Sequence, residues 1–185
     1  MPSSSDKRER LVNAARILLH RQGFSNTTLA QIAKASGVPL GNVYYYFKTK
    51  EEIAAAAIRQ RRDKLRSMAE KWEANPDPKQ RLSAFLDMIE DMRLTIAKYG
   101  CPVGSLCQEL DKSRSGLAEN ANETLRWMID WTSEQFRLLG KTNAEELGLQ
   151  FITILQGISL VAQVLNNPNL ISQQVRQTRT WLQTL

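Results

Sequence analysis

The chain has 185 residues, with 25 Lys and Arg against 19 Asp and Glu, two cysteines and one histidine. That length allows one sizeable core or a small domain fused to a larger one, and the Cys and His counts exclude a disulfide framework and a protein-only zinc site. The charge is uneven: residues 1–66 hold 13 Lys and Arg against 5 Asp and Glu, and the remainder holds 12 against 14, so a polyanion would meet the N-terminal third.

Met1 to Asp6 is short and polar, which argues against a secretory leader and for a cytoplasmic chain. Asp6 and Glu9 have capping-box spacing at the start of a helix expected to reach about Gln22, with Leu11, Ala15, Leu18 and Leu19 inward and Gly23 as terminator. His20 falls near its C-terminus as a surface or boundary residue.

Residues 24–53 then read as two short helices joined by a tight turn. Thr28 and Gln31 form a capping box, Leu29, Ile32 and Ala33 face inward, and Ser36-Gly37 stops the first helix. Val38 plugs the angle between the helices, and Pro39 suits the first turn of the second. On that second helix, the 100° step sorts three consecutive tyrosines: Val43, Tyr46 and Phe47 form the inward set, while Gly41, Tyr44, Tyr45 and Lys48 face elsewhere. A helix-turn-helix of this form puts Leu40, Gly41 and Asn42 over base edges, and Tyr44, Lys48, Thr27 and Thr28 near phosphates.

Thr49 and Glu52 open a fourth helix, expected to run to about Trp72 and to join both halves of the chain. Its run Arg59, Arg61, Arg62, Lys64, Arg66 reads as a solvated face. Asn75-Pro76-Asp77-Pro78 breaks the chain. Helices are expected at about 78–98, 104–110, 115–139, 143–166 and 168–184, with Thr142 and Glu145 as a further capping box and no strand pattern.

The stretch from Leu147 to Val175 lacks any charged residue and is long enough to span a bilayer. The recurring Gln150, Thr153, Gln156, Ser159 and Gln163 give it a polar seam, which favours burial in protein over a membrane. A helix apolar on nearly all sides needs more cover than one small domain offers, so the helices at 143–166 and 168–184 are expected to pair with a second copy, Gly157 allowing close approach.

The N-terminal segment resembles the tetracycline-repressor (TetR/AcrR) family of bacterial transcription regulators. The resemblance rests on Gly23-Phe24, Thr27 to Ala33, Gly37-Val38 and Gly41 to Glu52, although Pro39-Leu40 stands where the family commonly has a polar residue or lysine. It implies an all-α chain of about nine helices: a three-helix DNA-binding domain over residues 1–54 and an effector-binding and dimerisation domain over 55–185. It further implies a homodimer on a palindromic double-stranded operator, usually a repressor released by a small-molecule effector; from the residues, neither cofactor nor metal is expected.

For the effector site, Trp127 and Trp131 are i, i+4 neighbours that can form one pocket wall with Met88 and Met92, with core filling as the plain alternative. The segment Gly100 to Leu110 is similar to a Gly-Cys stretch in one branch of the family, some of whose members respond to electrophiles through cysteine. Cys101, after a helix-ending glycine, is expected near carbonyl groups, and neither it nor Cys107 has a cationic neighbour in sequence, so inert thiols are the expectation and a cysteine-based electrophile or redox sensor the alternative. Two other classes remain: a non-specific DNA-architectural protein, which would not need the larger neutral domain, and a helical enzyme. For the latter, Glu109 and Asp111 near Cys107 are the nearest approach to a titratable cluster, and the expectation is no enzyme.

Overall fold

Capping residues, glycines and prolines divide the computed structural model, which describes residues 4–185, into ten helices among those residues and no strand. They are α1 (Ser4–Gln22), α2 (Leu29–Ser36), α3 (Leu40–Tyr46), α4 (Lys50–Glu73), α5 (Pro78–Asp91), α6 (Arg93–Tyr99), α7 (Gly104–Lys112), α8 (Ala118–Leu138), α9 (Ala144–Val164) and α10 (Asn169–Thr184). The first residues of the Met1–Asp6 leader reading lie outside the described residues.

The all-α class agrees with the sequence, and the differences are local. The helix expected over 78–98 is two segments, because the backbone opens at Met92 to ψ 0°. The Met92 carbonyl still accepts from Ile96 N at 2.9 Å. Asp6 lies within the first turn of α1 and not at its cap; it pairs with Arg10 at 3.8 Å. The capping box expected from Thr142 and Glu145 does not form: Asn143 occupies the cap position without a side-chain bond, and Glu145 accepts from Arg137 instead. At α4 only half of the expected box forms, since Thr49 accepts from Glu52 N while the Glu52 carboxylate takes Lys48 N.

The chain contacts separate two compact units. The first comprises residues 1–64 with 105–122, and the second comprises 65–104 with 123–185. In the first, Leu11, Ala15, Leu19, Ile32, Ala33, Val38, Val43, Phe47, Ile53 and Ala57 are all buried, so α1–α4 share one small core. Leu18 and Leu29, expected inward, are only half-buried.

In the second unit an aromatic cluster forms the centre. Trp72 stacks on Phe85 at 5.4 Å, Trp131 lies against both, and Phe151 connects Phe85 to Phe136. Such ring pairs add about 0.5–1.5 kcal/mol each beyond the area they bury. α9 packs on α6 and α10, and α10 on α5. Gly148 lets α9 approach α8 closely, since a Cβ there would lie 2.6 Å from Ser133 N, and the Gly148 carbonyl accepts from Thr132 at 3.3 Å.

Within the single chain α9 is covered on one side only. Leu147, Phe151, Ile152, Leu155, Ser159 and Ala162 are covered, but Leu149, Leu160, Val161, Val164 and the following Leu165 stand in the open, Val164 at 73%. Of the polar seam, only Ser159 is buried, its hydroxyl bonded to the Leu155 carbonyl at 2.6 Å; Gln150 and Thr153 are exposed. By length and composition α9 is the one helix among the described residues that meets the requirement for a membrane crossing.

Candidate nucleic-acid interface

The helix-turn-helix is built by local chemistry at each joint. Thr28 caps α2, accepting from Gln31 N at 3.2 Å, while the Gln31 side chain accepts from Thr28 N at 2.9 Å. Two otherwise orphaned donors at the helix start are thereby satisfied. Gly37, at φ 66°, ends α2, and its N–H bonds Lys34 O. Val38 is buried in the angle, and Pro39 sits at the N-cap position of α3, one residue earlier than the first helical turn.

α3 then divides as the 100° step requires. Val43 and Phe47 are buried, whereas Tyr44 is 48% and Tyr45 77% exposed. Tyr46, assigned inward with Val43 and Phe47, is half-buried and meets Tyr45 edge-on, ring centroids 5.0 Å apart. Leu40, Gly41 and Asn42 are exposed at the N-terminal end, and a side chain added at Gly41 would meet nothing. Lys48 is exposed just past α3, its ammonium donating to Tyr44 O at 2.8 Å, which holds the cation beside that tyrosine.

Thr27 is a correction. Its side chain is fully buried, its hydroxyl donates to Gly23 O at 2.6 Å and its N–H donates to Phe24 O at 3.1 Å. Both donors are committed within the turn before α2, so Thr27 shapes that turn and offers nothing to a phosphate. Thr28 remains exposed beside it.

Three supporting residues were not legible from spacing. Arg10 of α1 donates through Nε and Nη2 to Ser36 O, at 3.1 and 2.5 Å, and so holds the end of α2. Arg8 lies over the Phe47 ring, 5.3 Å from its centroid. Glu109 of α7 accepts two backbone N–H groups of the turn before α2. Each contact joins residues far apart in sequence, for which periodicity carries no signal.

The other residues named from sequence are dispersed. Trp131 donates its indole N–H to Glu73 at 2.7 Å and belongs to the aromatic core, which agrees with the core-filling alternative. Met88, Met92 and Trp127 are part-exposed in the second unit, where Arg66 lies over the Trp127 ring at 5.8 Å. Cys107 is buried. Cys101 is half-exposed, and its sulfur accepts Gly104 N–H at 3.4 Å, a donor where carbonyl surroundings were expected. Asp111 accepts from Asn122 Nδ2 at 3.1 Å. Among the described residues no group of three His, Cys, Asp or Glu side chains is placed to hold a metal ion.

Residues 11–57 match the family described as bacterial regulatory proteins, tetR family. The chain is 33% identical over 147 residues to the HTH-type transcriptional regulator LmrA of Bacillus subtilis (strain 168), covering 78% of this chain and 77% of that protein. Its fold is similar to a TetR-family regulator from Agrobacterium tumefaciens, with a TM-score of 0.85 at 18% identity, covering 96% of this chain and 98% of the other. A TetR regulator from Chloroflexus aurantiacus J-10-FL gives 0.83 at 22%, covering 97% and 95%.

Basic charge, an exposed second helix and these likenesses define a DNA-binding transcription regulator and not an enzyme. Its helix-turn-helix is the part that engages DNA. The chain belongs to the TetR family.

Proposed function

We propose that the chain is a cytoplasmic homodimer that binds a palindromic operator and represses transcription until a small molecule releases it. One observation carries the operator reading: Leu40, Gly41, Asn42, Tyr44, Tyr45 and Lys48 form a single uncovered face on a head of strong positive charge. In this reading Leu40, Gly41 and Asn42 meet base edges, and Tyr44, Tyr45, Lys48 and the α2 N-terminus at Thr28 meet the backbone.

The open stripe of α9 supports the dimer. Leu149, Thr153, Gly157, Leu160, Val161 and Val164 recur at three- and four-residue spacing and are all exposed, so pairing α9 and α10 with those of a second copy would cover them. Covering the stripe against a second copy also accounts for its apolar character without a membrane. A two-fold dimer would hold its recognition helices about one DNA turn apart, some 34–36 Å. An effector in the second unit, beside Met88, Met92, Cys101 and Trp127, lowers operator affinity if it prefers a dimer with different spacing. Incubating the chain with a random duplex pool and sequencing the retained DNA tests this; a short palindrome supports the reading, and uniform retention supports a non-specific architectural role.

A second reading of the input has one observation in its favour. Cys101 is half-exposed, with its sulfur at the first N–H of α7, so modification there would disturb the start of that helix. If Cys101→Ser leaves release by quinones or aldehydes unchanged, the cysteine reading is excluded.

A further inference from the structure

The turn between α1 and α2 is held by side chains of two other helices. Glu109 of α7 accepts Phe24 N–H on Oε2 and Ser25 N–H on Oε1, both at 2.8 Å, a two-pronged carboxylate grip on two successive backbone donors. Lys50, the first residue of α4, donates to Phe24 O at 3.0 Å and lies 4.1 Å above the Phe24 ring. The backbone of Phe24 is therefore held at its N–H by an anion and at its carbonyl by a cation. Gly23 is needed at this point twice over: its φ is +79°, and a Cβ there would sit 2.5 Å from Glu109 Oε2.

The consequence lies in what this turn precedes. Thr27 is fastened to Gly23 and Phe24, and the next residue, Thr28, is the cap of α2. All these groups lie within one compact unit, so the position of α7 and that of the helix-turn-helix entrance are mechanically linked. Displacing α7 must either break two charge-assisted hydrogen bonds or carry the turn, and with it the start of α2, along. A mobile turn would add an ordering cost to each binding event, whereas a fixed one is preorganised.

We infer that Glu109 is the positioning residue through which α7 sets the α1–α2 turn, and with it α2, in the geometry that binds DNA. This rests on the operator-binding role proposed above. Glu109 itself touches no DNA; it acts through Phe24, Ser25 and the Thr28 cap.

Glu109→Gln preserves size but replaces one acceptor oxygen with a donor that faces the turn's N–H groups. Operator affinity of the full chain is measured with the duplex retained from the random pool by the wild type, well below the melting temperature. Amide exchange is read residue by residue. The expected result is about tenfold weaker binding, with exchange accelerated at Phe24, Ser25 and the first turn of α2 only. The exposed neighbour substitution Gln108→Ala should change neither. A purely structural contribution would lower the melting temperature yet leave the affinity of the still-folded chain unchanged, and that outcome overturns the inference. Exchange accelerated throughout the chain also overturns it. If the wild type retains no duplex, the operator reading fails and this one with it; equal binding by wild type and Glu109→Gln overturns this one alone.

Discussion

At the residue scale, the exposed side chains of α3 have different proposed partners, and each can be tested. Tyr44→Ala removes an exposed group proposed to lie by a phosphate, so it should weaken binding to all duplexes alike. Asn42→Ala removes a proposed base contact, so it should cost about 1–3 kcal/mol on the selected duplex and relax preference at one position. Titration of both variants against matched and singly altered duplexes distinguishes the two, and full affinity in both would put the docking face elsewhere. Thr28→Ala should cost about 1 kcal/mol of unfolding free energy through loss of the cap. Glu109 adds a pH signature. Burial opposes its ionisation, but the N–H groups of Ser25 and Phe24, with the Lys50 charge, outweigh that and hold its carboxyl below its ordinary value. A depressed carboxylate stabilises the fold above its unfolded-state value and loses that contribution as pH falls through the folded one. The difference in unfolding free energy between wild type and Glu109→Gln should therefore stay level from neutral pH down through mild acid and vanish only below the ordinary carboxylate range. A difference that disappeared near neutrality would contradict the grip.

At the element scale, how much was legible depends on whether the signal was local. The Thr28 capping box, the Gly37 stop and the buried Val43 and Phe47 follow from neighbours within four residues, and these features stand in the structure as read. Thr27 is the exception, since its partners Gly23 and Phe24 lie within four residues; what brings them together is a turn with Gly23 at φ +79° whose backbone Glu109 holds, and residue spacing shows neither. For Trp131 the sequence leaves pocket wall and core filling both open, because i, i+4 spacing to Trp127 says that two rings share a helix face, not that Trp72 and Phe85 will cover one of them. For α9, composition announced an excess of apolar surface but not which side the chain itself would cover. Leu160 and Val164 lie one turn apart on the uncovered side, so Leu160→Lys with Val164→Lys should yield a folded monomer by light scattering at micromolar concentration. A wild type already monomeric at that concentration would exclude the proposed seam. Gly148→Ala, by contrast, forces α9 away from Ser133 and should destabilise the second unit by about 1–3 kcal/mol in chemical denaturation.

At the scale of the whole molecule, the parts form a charged reading head, a helix α4 whose residues belong to both compact units, and a second unit with an open apolar stripe. The charge division between the two ends of the chain was visible in composition alone, while the inclusion of residues 105–122 in the first unit was not, because it depends on contacts such as that of Glu109 with Phe24. If the head binds through phosphates on two half-sites, operator affinity should fall steeply and log-linearly with salt, and Lys48→Ala should lower that slope by about one phosphate per head. Whether two copies of this chain read a symmetric DNA site through α3, as proposed, is decided by sequencing the duplexes the full chain retains from a random pool. The expected product is a short inverted repeat whose half-site centres lie about one helical turn apart, about 10 base pairs. Retention without a shared motif, or of an unrepeated half-site by a monomer, would contradict it.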